Sequence, residues 1–196
     1  MSVYSKRIWR QELEKAVCFA RAAAAQASQW PSPLKKRVLV DVANRLRKRV
    51  SWLLAQNAKD IMLARKCGLP SAMMDRLTLT PSRIRGMADG VLAVAALKDP
   101  IGVIQANWVR PNGLRIQKVT VPLGVILIIY ESRPNVTVEC AALCLKSSNA
   151  VILRGGRESM ASNKALVRIF HESLRKFRLS PHAVGLVRTT DYGAVD

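Results

Sequence analysis

Two polar side chains that could take part in catalysis follow a continuous apolar run in the middle of the chain. The run Gly124–Tyr130 is typical of a strand buried on both faces, and Arg133 and Asn135 come shortly after it. Ligands of open α/β sheets bind at the carboxyl ends of the strands, so we expect both side chains near a ligand. The Asn135 amide could donate to a developing oxyanion, and the Arg133 guanidinium matches the geometry of a phosphate. The alternatives are a helix cap or turn for Asn135 and an ordinary surface position for Arg133.

A second candidate binding segment follows another short apolar run. Arg154, Gly155 and Gly156 come directly after Ala150–Leu153, which has the composition of a buried strand. An arginine at a strand end can bind a phosphate, and the two glycines permit a close approach of the backbone to a ligand. The spacing is not that of a Gly-x-Gly-x-x-Gly motif. A simple strand-to-loop turn is the alternative interpretation.

The cysteines and histidines do not predict a nucleophile or a metal site. Cys140 and Cys144 are four residues apart and share one helix face, but neither has an evident activating partner. Buried cysteine is a common core residue, so we expect both in the core. The two histidines, His171 and His182, have no metal-ligand spacing with the cysteines. We therefore predict no metal.

The elements that must position these residues alternate between strand and helix. Three buried-strand patterns, Gly124–Tyr130, Ala150–Leu153 and Val184–Val187, are separated by helical patterns over 136–146 and 160–177. This alternation predicts βαβ units and a parallel sheet. The fold class is therefore α/β, with a Rossmann-like sheet in the second half of the chain.

Helical patterns fill the first hundred residues. Ser32 and Thr80, each followed by proline, predict the amino-terminal caps of two helices, and a helix break is expected near Gln56-Asn57. Two short β-prone runs, Val103–Val109 and Leu114–Val119, are joined through an Asn-Gly dipeptide. That arrangement predicts a β-hairpin.

Composition excludes some classes of protein and leaves others open. The chain has 196 residues, 49% of them hydrophobic, and a formal net charge of +19. We expect a folded cytoplasmic protein with free thiols, since no signal peptide precedes the cysteines and the longest uncharged apolar stretch is too short to span a bilayer. The positive charge is spread along the chain with a lean toward the start. It could serve an anionic partner or reflect surface composition alone, and no nucleic-acid-binding motif accompanies it.

Two sequence blocks resemble a known family. The blocks are Tyr130–Val138 and Asn149–Gly156, and the stretches Leu77–Arg83 and Leu179–Val184 are also similar. Together they resemble the gamma-glutamyl phosphate reductases of the aldehyde dehydrogenase superfamily. The resemblance spans essentially the whole chain but only about the first half of a family member.

This resemblance implies an aldehyde dehydrogenase type of fold. We expect a helical lead-in over residues 1–98, an oligomerisation-type hairpin over 99–121 and a partial cofactor-binding domain over 122–196. The catalytic domain would be absent and the Rossmann-like parallel sheet incomplete. An incomplete sheet exposes an apolar edge strand, so poor stability is expected.

The resemblance also implies a reaction and assigns residues to it. The reaction is the NADPH-dependent reduction of L-glutamate 5-phosphate to L-glutamate 5-semialdehyde and phosphate in proline biosynthesis. Asn135 would bind the oxyanion, Arg133 the substrate, and Arg154, Gly155, Gly156 and Glu158 the NADP cofactor. The nucleophilic cysteine of the family would lie beyond residue 196.

Three functions remain open at the level of the sequence. The chain could be inactive alone, either as a truncated copy of the enzyme or as one half of a split enzyme that needs a complementary half. It could be a non-catalytic basic binding or interaction module, although nucleic acid is not the partner we expect. It could also be a structural subunit that pairs with itself or with a complete paralogue through the Val103–Val119 hairpin. No membrane partner is expected.

Overall fold

The computed structural model describes residues 3–187, with side chains from residue 10 onward. Within that span the chain forms helices and strands in the order α1 (Val3–Ala27), α2 (Ser32–Lys48), α3 (Val50–Lys66), α4 (Ser71–Leu77), α5 (Pro81–Ala96), β1 (Ile104–Val109), β2 (Arg115–Val119), β3 (Val125–Ile129), α6 (Pro134–Lys146), β4 (Ala150–Arg154), α7 (Met160–Lys176) and β5 (Val184–Leu186). Short 3₁₀ turns occur at Arg157–Ser159 and Pro181–Ala183.

One of the two predicted helix caps is confirmed. The Thr80 side chain accepts a hydrogen bond from the Arg83 backbone N–H at 3.1 Å and so caps α5. Ser32 is not a cap, because the helix already begins at this residue and Pro31 occupies the cap position without a side-chain bond. The two prolines on either side of Ser32 start α2 by fixing φ rather than by capping.

The helix break predicted at Gln56-Asn57 is wrong. Helix α3 runs through both residues, and the interruption lies at Arg49, between α2 and α3. Asn57 is buried, and its side chain donates to the Leu77 carbonyl at 2.9 Å and accepts from the Leu79 N–H at 2.8 Å. This asparagine therefore links α3 to the end of α4 and the loop that follows, instead of ending the helix.

The predicted parallel sheet is confirmed. Strands β3, β4 and β5 pair in that order, with Val125 opposite Ala150 and Val151 opposite Val184. The crossover helices α6 and α7 pack their apolar faces into the main core, which includes Val138 and Phe170. The carboxyl ends of β3 and β4 consequently lie side by side, each followed by a loop and a helix.

The other face of the sheet is only partly covered. Ala20 and Ala24 of α1 pack against Ala150 and Ile152. Along β3 the same face is more open, since Leu127 is 54% exposed and Ile129 49% exposed.

The predicted hairpin is also confirmed, and it projects from the body of the chain. Strands β1 and β2 are antiparallel, with Trp108 opposite Ile116. Gly113 takes a left-handed φ of +84° in the connecting turn, a conformation that favours glycine. The apolar side chains of β1 are exposed, including Trp108 at 45% and Val109 at 61%.

A buried ion pair joins the helical first part of the chain to the sheet. The Lys35 ammonium is buried and contacts the Asp99 carboxylate at 2.6 Å, and it also donates to the Ser148 hydroxyl at 2.8 Å. The domain boundaries at 98 and 121 stay predictions, and residues 188–196 of the third predicted domain lie outside the described residues. None of the described helices has the length and apolar character needed to cross a membrane.

Candidate functional site

Asn135 lies in the first turn of α6, just beyond the carboxyl end of β3. Arg133 occupies the cap position and Pro134 the first helical position, so Asn135 is not a cap. Its side-chain amide donates to Glu139 Oε1, one helical turn along, at 3.1 Å. An amide carries two N–H groups, so a second one remains to bind a reacting oxygen.

A groove of about 420 Å³ runs past Asn135, between α5 and α6. The α6 side contributes Asn135 and Glu139, with Arg133 at the end of the helix. The opposite wall is the face of α5 that carries Arg83, Gly86, Met87 and Gly90, and α4 adds Asp75 and Arg76. The structure thus brings two of the predicted site residues, Arg133 and Asn135, to one groove.

The arginines of this groove differ in whether their guanidinium groups already have hydrogen-bond or ion-pair partners. Arg83 is held by the Asp75 carboxylate at 2.9 Å and by the Asp75 and Thr78 carbonyls. Arg76 forms a long, exposed ion pair with Glu131 at 3.4 Å. The Arg133 side chain is exposed and makes no hydrogen bond or ion pair with the side chains that the structure describes. Arg133 is therefore the guanidinium of this groove best placed to receive an anion.

The predicted cofactor segment forms a tight loop after β4. A Cβ added at Gly155 would lie 2.4 Å from Asn163 Nδ2, and one added at Gly156 would lie 2.2 Å from Ser132 Oγ. Both distances are far below normal contact, so glycine is required here by the protein's own packing. The sequence suggested a different reason, that the glycines let the backbone approach a ligand closely. That reason stays a prediction.

Glu158 connects this loop to the β3–α6 loop. Its carboxylate accepts from the Ser132 hydroxyl at 2.6 Å and from Arg157 Nε at 3.1 Å, and its side chain is 21% exposed. Burial alone would raise the pKa of Glu158, but these hydrogen bonds outweigh it and hold that pKa below its usual range. The carboxylate is therefore ionised at neutral pH and fixed between two loops that each follow a strand.

A buried polar chain beneath the two loops was not predicted from the sequence. The Tyr130 hydroxyl is 2.6 Å from Thr137 Oγ1, Thr137 donates to Asn163 Oδ1 at 2.8 Å, and Asn163 Nδ2 donates to Ser159 Oγ at 2.9 Å. Burial raises the pKa of Tyr130 to about 12. Asn163 offered the one sequence clue, as a polar residue within the apolar helical pattern of α7.

The amino terminus of α7 is capped from a distance. Asp60 of α3 accepts from the backbone N–H groups of Ala161 at 3.0 Å and Ser162 at 2.7 Å, and from the Ser162 hydroxyl at 2.6 Å. A helix amino terminus of this kind often binds phosphate. Here the protein's own buried carboxylate fills that role, so an incoming phosphate must bind elsewhere.

The two cysteines of α6 lie as expected for core residues. Cys144 is buried and Cys140 is partly buried. Burial raises the pKa of Cys144 to about 12 and, together with the nearby Glu139, raises the pKa of Cys140. Since the thiolate is the reactive form, neither thiol is activated. Within the part of the chain that the structure describes, no group of three or more potential ligand side chains could hold a metal ion.

Comparisons with known proteins find close relatives over most of the chain, although no family model matches it. It is 47% identical over 176 residues to a gamma-glutamyl phosphate reductase of Desulfatibacillum aliphaticivorans, covering 90% of this chain and 42% of the relative. It is 48% identical over 177 residues to the enzyme of that name from Carboxydothermus hydrogenoformans, covering 90% of this chain and 43% of the relative.

Solved structures agree with the sequence relatives. The gamma-glutamyl phosphate reductase of Thermotoga maritima superposes with a TM-score of 0.90 at 40% identity, over 93% of this chain and 44% of that one. The Saccharomyces cerevisiae enzyme gives 0.87 at 28% identity, over 93% and 47%. An acetylating aldehyde dehydrogenase from Geobacillus thermoglucosidasius gives 0.70 at 14% identity, over 94% and 38%, and so shows the fold alone.

Both the predicted resemblance and the predicted fold class are thereby confirmed. The chain spans about two-fifths of the length of the curated relatives that it matches. By sequence and by fold, this chain is homologous to the amino-terminal part of the gamma-glutamyl phosphate reductases, which share the aldehyde dehydrogenase architecture.

Proposed function

We propose that this chain supplies the substrate- and cofactor-facing part of a gamma-glutamyl phosphate reductase. The reaction would be the NADPH-dependent reduction of L-glutamate 5-phosphate to L-glutamate 5-semialdehyde and phosphate, a step of proline biosynthesis. The observation that carries the proposal is the 47% identity to an enzyme of that name over 90% of the chain. The groove that holds Arg133 and Asn135 supports it independently.

In this proposal Asn135 and Arg133 act on the acyl phosphate. The free N–H of the Asn135 amide donates to the oxygen that becomes negative when the acyl carbon is attacked. Glu139 holds the amide so that nitrogen rather than oxygen faces the groove. Arg133, whose guanidinium is unengaged by described side chains, binds the phosphate that leaves.

Attack on the acyl carbon requires a thiolate from elsewhere. The raised pKa values of Cys140 and Cys144 leave both thiols protonated at neutral pH. We therefore place the nucleophile on sequence that corresponds to the remainder of the relatives, present either as a continuation of the polypeptide or as a second chain.

The residues after β4 suit a phosphorylated dinucleotide. Arg157 provides a cation beside Glu158 and is 72% exposed, whereas Arg154, at the end of β4, lies on the side of the sheet that faces α1. Because Ser132 and Arg157 already donate to Glu158, its charge opposes an approaching phosphate less than a bare carboxylate would. We assign Arg154, with Arg157, to the 2′-phosphate of NADP and Glu158 to a ribose hydroxyl, with Gly155 and Gly156 shaping the loop. When bound, the nicotinamide supplies the hydride.

Other aspects of the function follow from the same assignment. All four cysteines are free thiols, which suits a cytoplasmic enzyme.

A two-stranded hairpin is marginally stable in water by itself, and β1 exposes Trp108 and Val109. We therefore assign the hairpin to contacts with a second chain, either another copy or a complete paralogue.

A second candidate function is a basic binding module, favoured by one specific feature. A groove of about 460 Å³ between α3 and α7 is lined by Trp52, Lys59, Arg157, Lys164 and Arg168. Arg168 and Arg49 lie over the Trp52 ring at 5.8 and 5.7 Å. Binding that is lost as salt is added is expected of any chain with a charge of +19. This alternative would therefore be supported only if the groove still prefers one anionic ligand over others at physiological salt.

The enzymatic proposal is tested through the reverse reaction. L-glutamate 5-semialdehyde, phosphate and NADP are supplied, and the absorbance of NADPH is followed. We expect no turnover from the purified chain alone and turnover when the carboxy-terminal remainder of the Desulfatibacillum relative, which is 47% identical over the shared region, is added.

The matched control is the relative's own amino-terminal part with the same remainder. If that pair turns over and the present chain does not, the proposed function is wrong for this chain. Turnover by the chain alone would contradict the external nucleophile, and Cys140→Ser and Cys144→Ser would then identify the thiol used.

A further inference from the structure

Two glycines leave open space on the α5 wall of the groove. Gly86 and Gly90 lie four residues apart in the middle of a sixteen-residue helix, where glycine is the least favourable residue except proline. Neither has a left-handed φ, and a Cβ added at either would meet no atom within 4 Å. Helix geometry and packing therefore do not require glycine at these positions. Glycine at these positions is explained if a ligand occupies the space that a larger side chain would fill.

On the opposite wall, one carboxylate oxygen is available. Glu139 is exposed on the groove, and its Oε1 accepts from the Asn135 amide at 3.1 Å. Its other oxygen has no partner among the described side chains. The second acidic residue of the groove, Asp75, is already paired with Arg83 at 2.9 Å. A cationic group entering the groove would therefore meet Glu139.

The distance between these two α6 side chains suits an amino-acid ligand. Asn135 and Glu139 are four residues apart on the helix and their side chains meet at 3.1 Å, so one small ligand can contact the amide and the second carboxylate oxygen together. In a γ-activated glutamate, three carbon atoms separate the acyl carbon from the α-ammonium nitrogen. A ligand whose acyl oxygen lies at Asn135 can therefore place its ammonium group at Glu139.

Resting on the proposed function, we propose that Glu139 binds the α-ammonium group of the amino-acid substrate and that Gly86 and Gly90 keep the facing wall clear for the substrate's carbon chain. Glu139 then selects amino acids over plain dicarboxylic acids at the same groove. It also positions Asn135, and the two roles use different oxygens of one carboxylate.

The test compares two stable ligands that differ only in the amino group. L-glutamate 5-methyl ester and glutaric acid monomethyl ester are titrated into the purified chain, and the amide signals of Gly86 and Gly90 are followed by NMR. A charge-assisted hydrogen bond to Glu139 should make the amino ester bind at least about tenfold more tightly. Glu139→Gln should bring the two affinities to within about threefold, while Glu14→Gln, an exposed charge control on α1, should leave the preference intact.

The glycine wall is tested with the same ligands. Gly90→Ala should weaken both esters by at least about tenfold, because the new methyl group occupies the ligand's space. Gly185→Ala on β5, where a Cβ would make only ordinary contacts, should change neither. Circular dichroism of every variant separates lost binding from lost folding.

Each outcome bears on a distinct claim. Equal binding of the two esters, or an undiminished preference in Glu139→Gln, overturns the ammonium subsite and leaves the reductase proposal standing. Unchanged binding in folded Gly90→Ala overturns the role of the open wall. If neither ester binds the wild-type chain, the ammonium subsite is overturned, whereas the reductase proposal is decided separately by the reverse-reaction assay with the added remainder.

Discussion

The groove between α5 and α6 and the loop after β4 each contain a pair of glycines next to arginines, yet the glycines serve opposite purposes. In the groove, a Cβ at Gly86 or Gly90 would meet nothing within 4 Å. In the loop, a Cβ at Gly155 or Gly156 would meet atoms of the same chain at 2.4 and 2.2 Å. One pair leaves room for another molecule, and the other lets two segments of this molecule touch. Glycine in a candidate site therefore indicates a ligand only when the space beside it is empty.

The charged side chains of the two regions also differ, in whether they already have a partner within the chain. In the groove, Arg133 and one oxygen of Glu139 have no partner among the described side chains. In the loop, Glu158 is satisfied by Ser132 and Arg157. The loop is thus held by contacts within the chain, and changes at Gly155, Gly156 or Glu158 should lower stability in the absence of any ligand. Changes in the groove should act mainly on binding.

The largest effect on stability is expected from Gly156→Ala. The added methyl group would displace the Ser132 hydroxyl and disturb its bond to Glu158, so we expect a loss of about 2–3 kcal/mol in the free energy of unfolding. Urea denaturation monitored by circular dichroism measures the loss. Gly185→Ala serves as the matched glycine control, with a change below about 1 kcal/mol. A Gly156→Ala protein as stable as the wild type would refute the tight contact.

Asp60→Ala should come next. The substitution removes the acceptor for two backbone N–H groups and one hydroxyl at the start of α7, and these groups stay buried, so we expect a loss of about 2 kcal/mol. Asp89 is the control, because its pair with Arg47 is exposed and Asp89→Ala should cost less than about 1 kcal/mol. Equal effects of the two variants in urea unfolding would argue against the capping role.

A smaller effect, dependent on pH, is expected from Glu158→Gln. The pKa of Glu158 is lowered in the folded chain from an ordinary value of 4.5, so its carboxylate stabilises the fold above that value. This contribution is lost as the pH falls through the lowered pKa. We expect the variant to be less stable by about 1 kcal/mol at pH 7, with the difference shrinking below pH 4.5. Stability curves measured by urea from pH 7 to pH 3 test this, and a difference independent of pH would contradict it.

The smallest effect has the opposite sign. Gly86→Ala and Gly90→Ala should each raise the free energy of unfolding by about 0.5–1 kcal/mol, because alanine is the better helix former and its methyl group has room. Thermal unfolding followed by circular dichroism is sensitive enough to detect this. A destabilised alanine variant would mean that the α5 wall is packed rather than open.

Local pattern predicted the elements well and the contacts between distant elements poorly. The continuous apolar run Gly124–Tyr130 and the helical spacing after it were enough to predict β3 and α6 and to expect Asn135 just beyond the end of the strand. Periodicity could not reveal that Asn57 bonds to Leu79 or that Asp60 caps α7, since these partners are set by tertiary packing. For the same reason the sequence did not identify Glu139 or Gly86 as site residues. Arg133 could be identified because it follows the end of a strand.

The distant cap at Asp60 and the buried Lys35 ammonium have a consequence for how the molecule can be divided. Both charges belong to the helical lead-in, and both find their partners next to the sheet, at Ser162 and Ser148. A cut between the two parts would separate Asp60 from the start of α7 and Lys35 from the Ser148 hydroxyl, and so would leave polar groups of both fragments without these partners. We therefore expect a single cooperative melting transition for the whole chain. The helices then act as a template on which the α/β part of the chain acquires its shape.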